Sequence, residues 1–160
     1  MPKTYEPIAT TTTSGSATTV TFSSIPSTYT DIVIIGQGSA SSGTGVNLRL
    51  NGDTASNYSN TILYGDGSSA ASLRQTSVTS INFGYFGTGV SDFNGSIMNY
   101  ANTTTNKTTL SRRNSAAVAT SAVVGLYRST SAITSVTLFT DGAITFTNGT
   151  TFTLYGIKAA

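Results

Sequence analysis

From Tyr5 onward, short runs of β-branched and aromatic residues alternate with clusters of Gly, Asn, Ser and Asp. Val46, Leu48 and Leu50 take turns with Asn47 and Arg49. That period of two turns one face of a strand to a core and the other to water. Ile81, Phe83 and Tyr85 share a side in the same way. The run DIVIIG, Asp31 to Gly36, is apolar on both faces and reads as a central strand. No segment carries the 3.6-residue period of an amphipathic helix.

The pattern predicts strands over 5–12, 17–22, 31–36, 46–50, 61–64, 78–86, 96–100, 107–112, 117–127, 133–140 and 151–158, with a weaker one over 143–147. Asn51-Gly52, Asp141-Gly142 and Asn148-Gly149 supply the residues that tight turns need between them. The expected fold is all-β: one antiparallel two-sheet sandwich, jelly-roll-like, with about ten strands. The closing stretch TTFTLYGIKAA alternates Phe152 and Leu154 with threonines. A terminal strand resists fraying when it is hydrogen-bonded on both sides. It is therefore expected inside a sheet, near the first strand.

With 160 residues the chain is most economically one domain. Residues 14–160 are expected to form the sandwich, and residues 1–13 an N-terminal edge strand or a docking arm. Charged residues make up only 9% of the chain, against a usual ~25%. Thr, Ser, Asn and Gly take their place, which disfavours helix and suits a soluble β surface. The net charge is +2, and the basic residues are scattered, with only Arg112 and Arg113 adjacent. A nucleic-acid binder needs a dense cationic face, so no nucleic-acid partner is expected. No stretch approaches the ~18 apolar residues of a membrane span, and none follows Lys3 as in a secretory signal.

The chain has no His and no Cys. This removes the commonest general base, the Ser-His and Cys-His pairs and the usual zinc ligands. A carboxylate pair remains possible in principle. The acids Asp53, Asp66, Asp92 and Asp141, however, stand beside Gly, Ser or Asn, where Asp caps turn amides. Asn51, Asp53 and Asp66 could contribute to a calcium site, but no spaced ligand loop appears. The glycine-rich stretches Gly36 to Gly38 and Gly84 to Gly89 precede no helix and cradle no phosphate. No cofactor or metal is expected. Tyrosine stands out, with eight Tyr and no Trp. Exposed Tyr beside Asn and Ser makes an adaptable binding surface that also stacks on sugar rings. The candidate surface-binding residues are Asn57, Tyr58, Tyr64, Asp66 and Tyr85.

Several longer stretches carry a resemblance: PKTYEPIATTT (Pro2 to Thr12), VTFSSIPSTYTDIVI (Val20 to Ile34), LRLNGDTASNYS (Leu48 to Ser59), ILYGDGSS (Ile62 to Ser69), IMNYANTTTNKTTLSR (Ile97 to Arg112), VGLYRSTSAITSVTLF (Val124 to Phe139) and the closing FTLYGIKAA. Together they resemble a family of small virion structural proteins of tailed bacteriophages, notably cyanophages and other phages of aquatic bacteria. The same pattern resembles a terminal module of longer tail-fibre-like proteins. The resemblance implies a non-enzymatic particle component, made in the host cytoplasm and located on the virion. It implies a module of tail fibre, tail tip or capsid decoration that forms a symmetric oligomer, a homotrimer by preference. The implied partners are a larger virion protein and host-surface glycans. Two rivals stand beside this reading: a free carbohydrate-binding module, and a small polysaccharide hydrolase or lyase using two acids such as Asp53 and Asp66.

Overall fold

A computed structural model describes residues 4–116 and 119–158. Among these residues there are twelve strands and no helix. In chain order they are β1 (Tyr5–Ser14), β2 (Thr19–Phe22), β3 (Asp31–Gly38), β4 (Thr44–Leu50), β5 (Tyr58–Gly65) and β6 (Ala70–Val78). Then follow β7 (Ile81–Phe86), β8 (Ser91–Ile97), β9 (Lys107–Ser115), β10 (Ala119–Tyr127), β11 (Val136–Thr140) and β12 (Asn148–Ile157). An eight-stranded sheet has the order β1-β12-β3-β8-β9-β10-β5-β6, and a four-stranded sheet the order β2-β11-β4-β7. Every pairing is antiparallel.

The pairings nest. β4 pairs with β7, β3 with β8, β2 with β11, and β1 with β12. The chain thus behaves as one long hairpin whose two arms stay paired while they pass from sheet to sheet. Two shorter hairpins, β5–β6 and β9–β10, are inserted and widen the larger sheet beyond β8. The closing strand β12 lies between β1 and β3, with Phe152 opposite Thr11 on one side and Gly36 on the other.

The core is built from the inward residues of both sheets. Val46, Leu48 and Leu50 of β4 face Ile32, Ile34, Phe152 and Leu154 in one buried cluster. Phe93 of β8 is its hub. Its ring meets Phe83 and Phe86 of the opposite sheet at centroid separations of 5.9 and 5.5 Å, and Phe152 at 6.2 Å. That ring lies against two glycines, Gly36 on the neighbouring strand and Gly84 on β7, where any Cβ would collide with it. At Asn51-Gly52 both residues have positive φ, 53° and 67°, and the Asp53 amide closes the turn on the Leu50 carbonyl at 3.1 Å. These are the angles of a type I′ turn, which Asn-Gly adopts at little cost.

Twelve strands replace the expected ten or so. The predicted strand over 78–86 divides: Ser77 has a positive φ of 55°, after which the chain leaves β6 in one sheet for β7 in the other. β6 escapes a pattern search because it is exposed or half-buried throughout, so no face of it is consistently apolar. The strand expected over 96–100 ends at Ile97 and starts earlier, at Ser91, with a turn following. Residues 143–147 form no strand, only an isolated bridge between Phe146 and Ala40. The first two residues of the strand expected over 117–127 lie outside the described residues, as do residues 1–3 and 159–160. Residues 5–14 are an edge strand paired with β12.

Deleting residues 151–160 is expected to unfold the domain, because it removes a strand bonded on both sides. Circular dichroism and a melting curve of the truncated chain check this, and a native spectrum would contradict it. Phe152→Ala should cost about 3–5 kcal/mol in denaturant titration, the range for emptying a packed aromatic site.

Candidate functional site

The tyrosines divide by environment. Tyr58, at the start of β5, is fully buried. Its ring stacks on Tyr127 at 4.7 Å and 17°. Its hydroxyl accepts from the Leu50 amide at 3.2 Å and points its proton toward the carbonyls of Asp53 (3.1 Å) and Leu50 (3.3 Å). Burial pushes the phenol up to about 12. Tyr58 is therefore a core residue rather than a surface-binding one: its polar tip is satisfied by backbone, so the whole side chain can leave water. Tyr100 is buried too, with its hydroxyl donating to the Pro26 carbonyl.

Asn57 holds the loop that leads into β5. Its side-chain amide donates to Asp53 at 2.8 Å, and Asp53 also accepts from the Ala55 amide at 2.8 Å. The Asn57 bond, followed by the Ala55 bond, holds the Asp53 carboxyl below its ordinary range. Asp66 serves the β5–β6 turn in the same manner. It accepts from the amides of Ser69 (2.7 Å) and Ser68 (2.9 Å) and from the Ser69 hydroxyl. The Ser69 amide, then that of Ser68, lowers its carboxyl. Both acids are turn residues.

Asp53 and Asp66 sit at opposite ends of β5, a strand of eight residues. At ~3.4 Å per residue they lie more than about 20 Å apart and cannot act on one bond or hold one ion. Asn51 is committed elsewhere, to the Ala132 carbonyl and the Thr134 amide. Among the described residues no group of three acidic, His or Cys side chains could hold a metal ion.

Tyr64, Asp66 and Tyr85 do come to one end of the molecule. Tyr64 is half-exposed and lines an open groove with Leu63, Ala71, Arg112 and Ser121. Asp66 borders a second groove, with Gly65, Gly67, Asn114 and Ser115. Tyr85 borders a third, with Gly43, Thr88, Val90 and again Ser115. The first two grooves meet at Gly65 and Thr120, and the second and third at Ser115. Asn57 and Tyr58 belong to the opposite end of β5 and are not part of this group.

Two cations missed by sequence reasoning are structural. Lys107, which reads as surface charge, is fully buried at the start of β9. Its ammonium donates to the carbonyls of Asn102 (2.7 Å), Thr105 (2.7 Å) and Thr130 (3.1 Å), tying two loops together. Arg113 points inward from β9 and donates to the Gly84 carbonyl at 2.7 Å and to the Asn82 side chain. Asn60 of β5 accepts from the Asn82 amide at 3.2 Å. The widened part of the large sheet thus covers the open edge of β7, which would otherwise offer free backbone groups to another strand.

No family model and no curated protein sequence matches the chain.

The raised Tyr58 phenol sets a sign for alkaline stability. Unfolded Tyr58 ionises near its ordinary ~10, while the folded group keeps its proton up to about 12. Its stabilisation is complete below pH ~10 and is lost as pH rises toward 12. Denaturant titrations across that window should show stability falling with pH, and Tyr58→Phe should flatten the fall. An unchanged slope in the variant would contradict the assignment.

Proposed function

We propose that this chain is a non-enzymatic structural module of a bacteriophage virion, built as a jelly roll, that self-associates on the particle and presents one end to host-surface glycans. The observation that carries the reading is the strand order. With the two inserted hairpins set aside, β1-β12-β3-β8 faces β2-β11-β4-β7, and the nested pairs are those of a hairpin rolled into two sheets. That order supports a jelly roll, a fold used widely in capsid and lectin domains. Fold alone does not give function. The reading therefore also leans on the family resemblance of the stretches quoted above, and on the surface.

That surface supports a mechanical and adhesive role. The acids Asp53 and Asp66 are spent on turns and stand at opposite ends of one strand. The cations Lys107 and Arg113 are spent on backbone carbonyls. The half-exposed rings of Tyr64 and Tyr85, beside hydroxyl-rich and glycine-rich loops, suit stacking on sugars. A free carbohydrate-binding module would use the same end and differ only in acting alone. Among the described residues the edge strand β1 is paired on one side only, which leaves the other for a larger virion protein.

Mass spectrometry of density-purified particles of the encoding phage tests the reading. The tryptic segment Leu50 to Arg74 is expected in the particle fraction at a constant ratio to capsid protein. Its confinement to the soluble lysate would contradict a virion role.

A further inference from the structure

We propose that the outer face of the eight-stranded sheet is the contact surface between copies of this chain. The inference rests on the self-association in the reading above and names where it happens. The register places the outward side chains in transverse rows. One row runs Val33, Ser96, Leu110, Val124, Thr61, each the direct cross-strand partner of the last. The next runs Ile35, Asn94, Arg112, Ala122, Leu63. Leu63, Leu110 and Val124 each leave more than half of their surface exposed, and so does Tyr5 at the β1 end. A groove of about 490 Å³ runs along Tyr5, Val33, Ser96, Leu110 and Ala122. Exposed apolar side chains grouped in this way on neighbouring strands mark an interaction surface.

Size and charge select a second copy as the occupant. Eight strands at ~4.8 Å and four outward side chains at ~6.7 Å span roughly 35 by 20 Å. That is roughly 700 Å², close to the ~800 Å² that each partner contributes to a standard interface. The charges divide by half. Asp31 and Asp92 lie on β3 and β8, whereas Arg112 and Arg74 lie on β9 and β6. Such a face has no single sign with which to hold a phosphate polymer or an anionic membrane. It does complement itself, because the acidic half of one copy matches the basic half of another. A face-to-face pair and a head-to-tail ring both satisfy this. The outer face of the four-stranded sheet differs: Thr21 and Thr137 bond each other there, and the Arg49 guanidinium lies over the Phe139 ring, 4.3 Å from its centroid.

Light scattering coupled to size exclusion reads the outcome on the purified chain. The wild type is expected at two or more times the 16.4 kDa of one chain. Leu110→Arg is expected at the monomer mass with native circular dichroism, whereas Thr21→Arg on the opposite face should keep the wild-type mass. Should Leu110→Arg fail to fold, Val124→Glu on the neighbouring strand decides in the same way. A monomeric wild type overturns the proposal and gives the face to a different protein. A Leu110→Arg or Val124→Glu chain that folds and keeps the wild-type mass overturns it as well. The particle experiment can fail while this one succeeds, so the two claims are separable.

Discussion

The structure depends on one pairing between distant parts of the chain: β12 held between β1 and β3. Its hydrogen bonds join residues about as far apart in sequence as this chain allows, Tyr5 to Ile157 at the extreme. Loop closure on that scale is costly, and it must be repaid by what the closed arrangement buries. Phe152 and Leu154 repay it. Both are fully buried, and Phe152 touches Phe86, Phe93 and Phe146, so the last strand completes the aromatic cluster that joins the two sheets. The glycines at 36 and 84 leave the space in which Phe93 sits between the sheets. A rolled hairpin whose arms were not closed by β12 would leave β3 with an open edge and remove Phe152 from that cluster.

Much of this was legible in the alternation of side chains. β4 could be read from Val46, Leu48 and Leu50, all fully buried, and β12 from Phe152 and Leu154. The Asn51-Gly52 turn announced itself through residues that tolerate positive φ. What could not be read has a common cause: the pattern records local polarity, whereas burial is decided by partners far along the chain. β6 shows no apolar face because it overhangs the smaller sheet. Tyr58 and Lys107 carry polar ends that resemble surface chemistry, but backbone carbonyls satisfy both: those of Leu50 and Asp53 for Tyr58, and those of Asn102, Thr105 and the more distant Thr130 for Lys107.

The same limit hid the outer face. A strand such as β10, with Val123 inside and Val124 outside, is apolar on both sides. On its own that reads as a central strand with both faces covered. In the fold only one face is covered, so the apolar residues on the other are left over, and they line up with those of β3, β5 and β9. The inserted hairpins serve two ends at once. Their inner side chains, Asn60 and Arg113, close the open edge of β7. Their outer side chains widen a nearly neutral surface to the size that association between proteins requires. On the proposal above, this is the face the chain keeps for its own copies.

Solution NMR of methyl-labelled protein with a soluble paramagnetic probe tests this account most directly. The Leu63, Leu110 and Val124 methyl groups are exposed in the single chain. If that face is covered by another copy, they will be shielded from the probe while the Thr21 methyl broadens. Broadening of Leu110 and Val124 to the same extent as Thr21 would show a face open to water and contradict it.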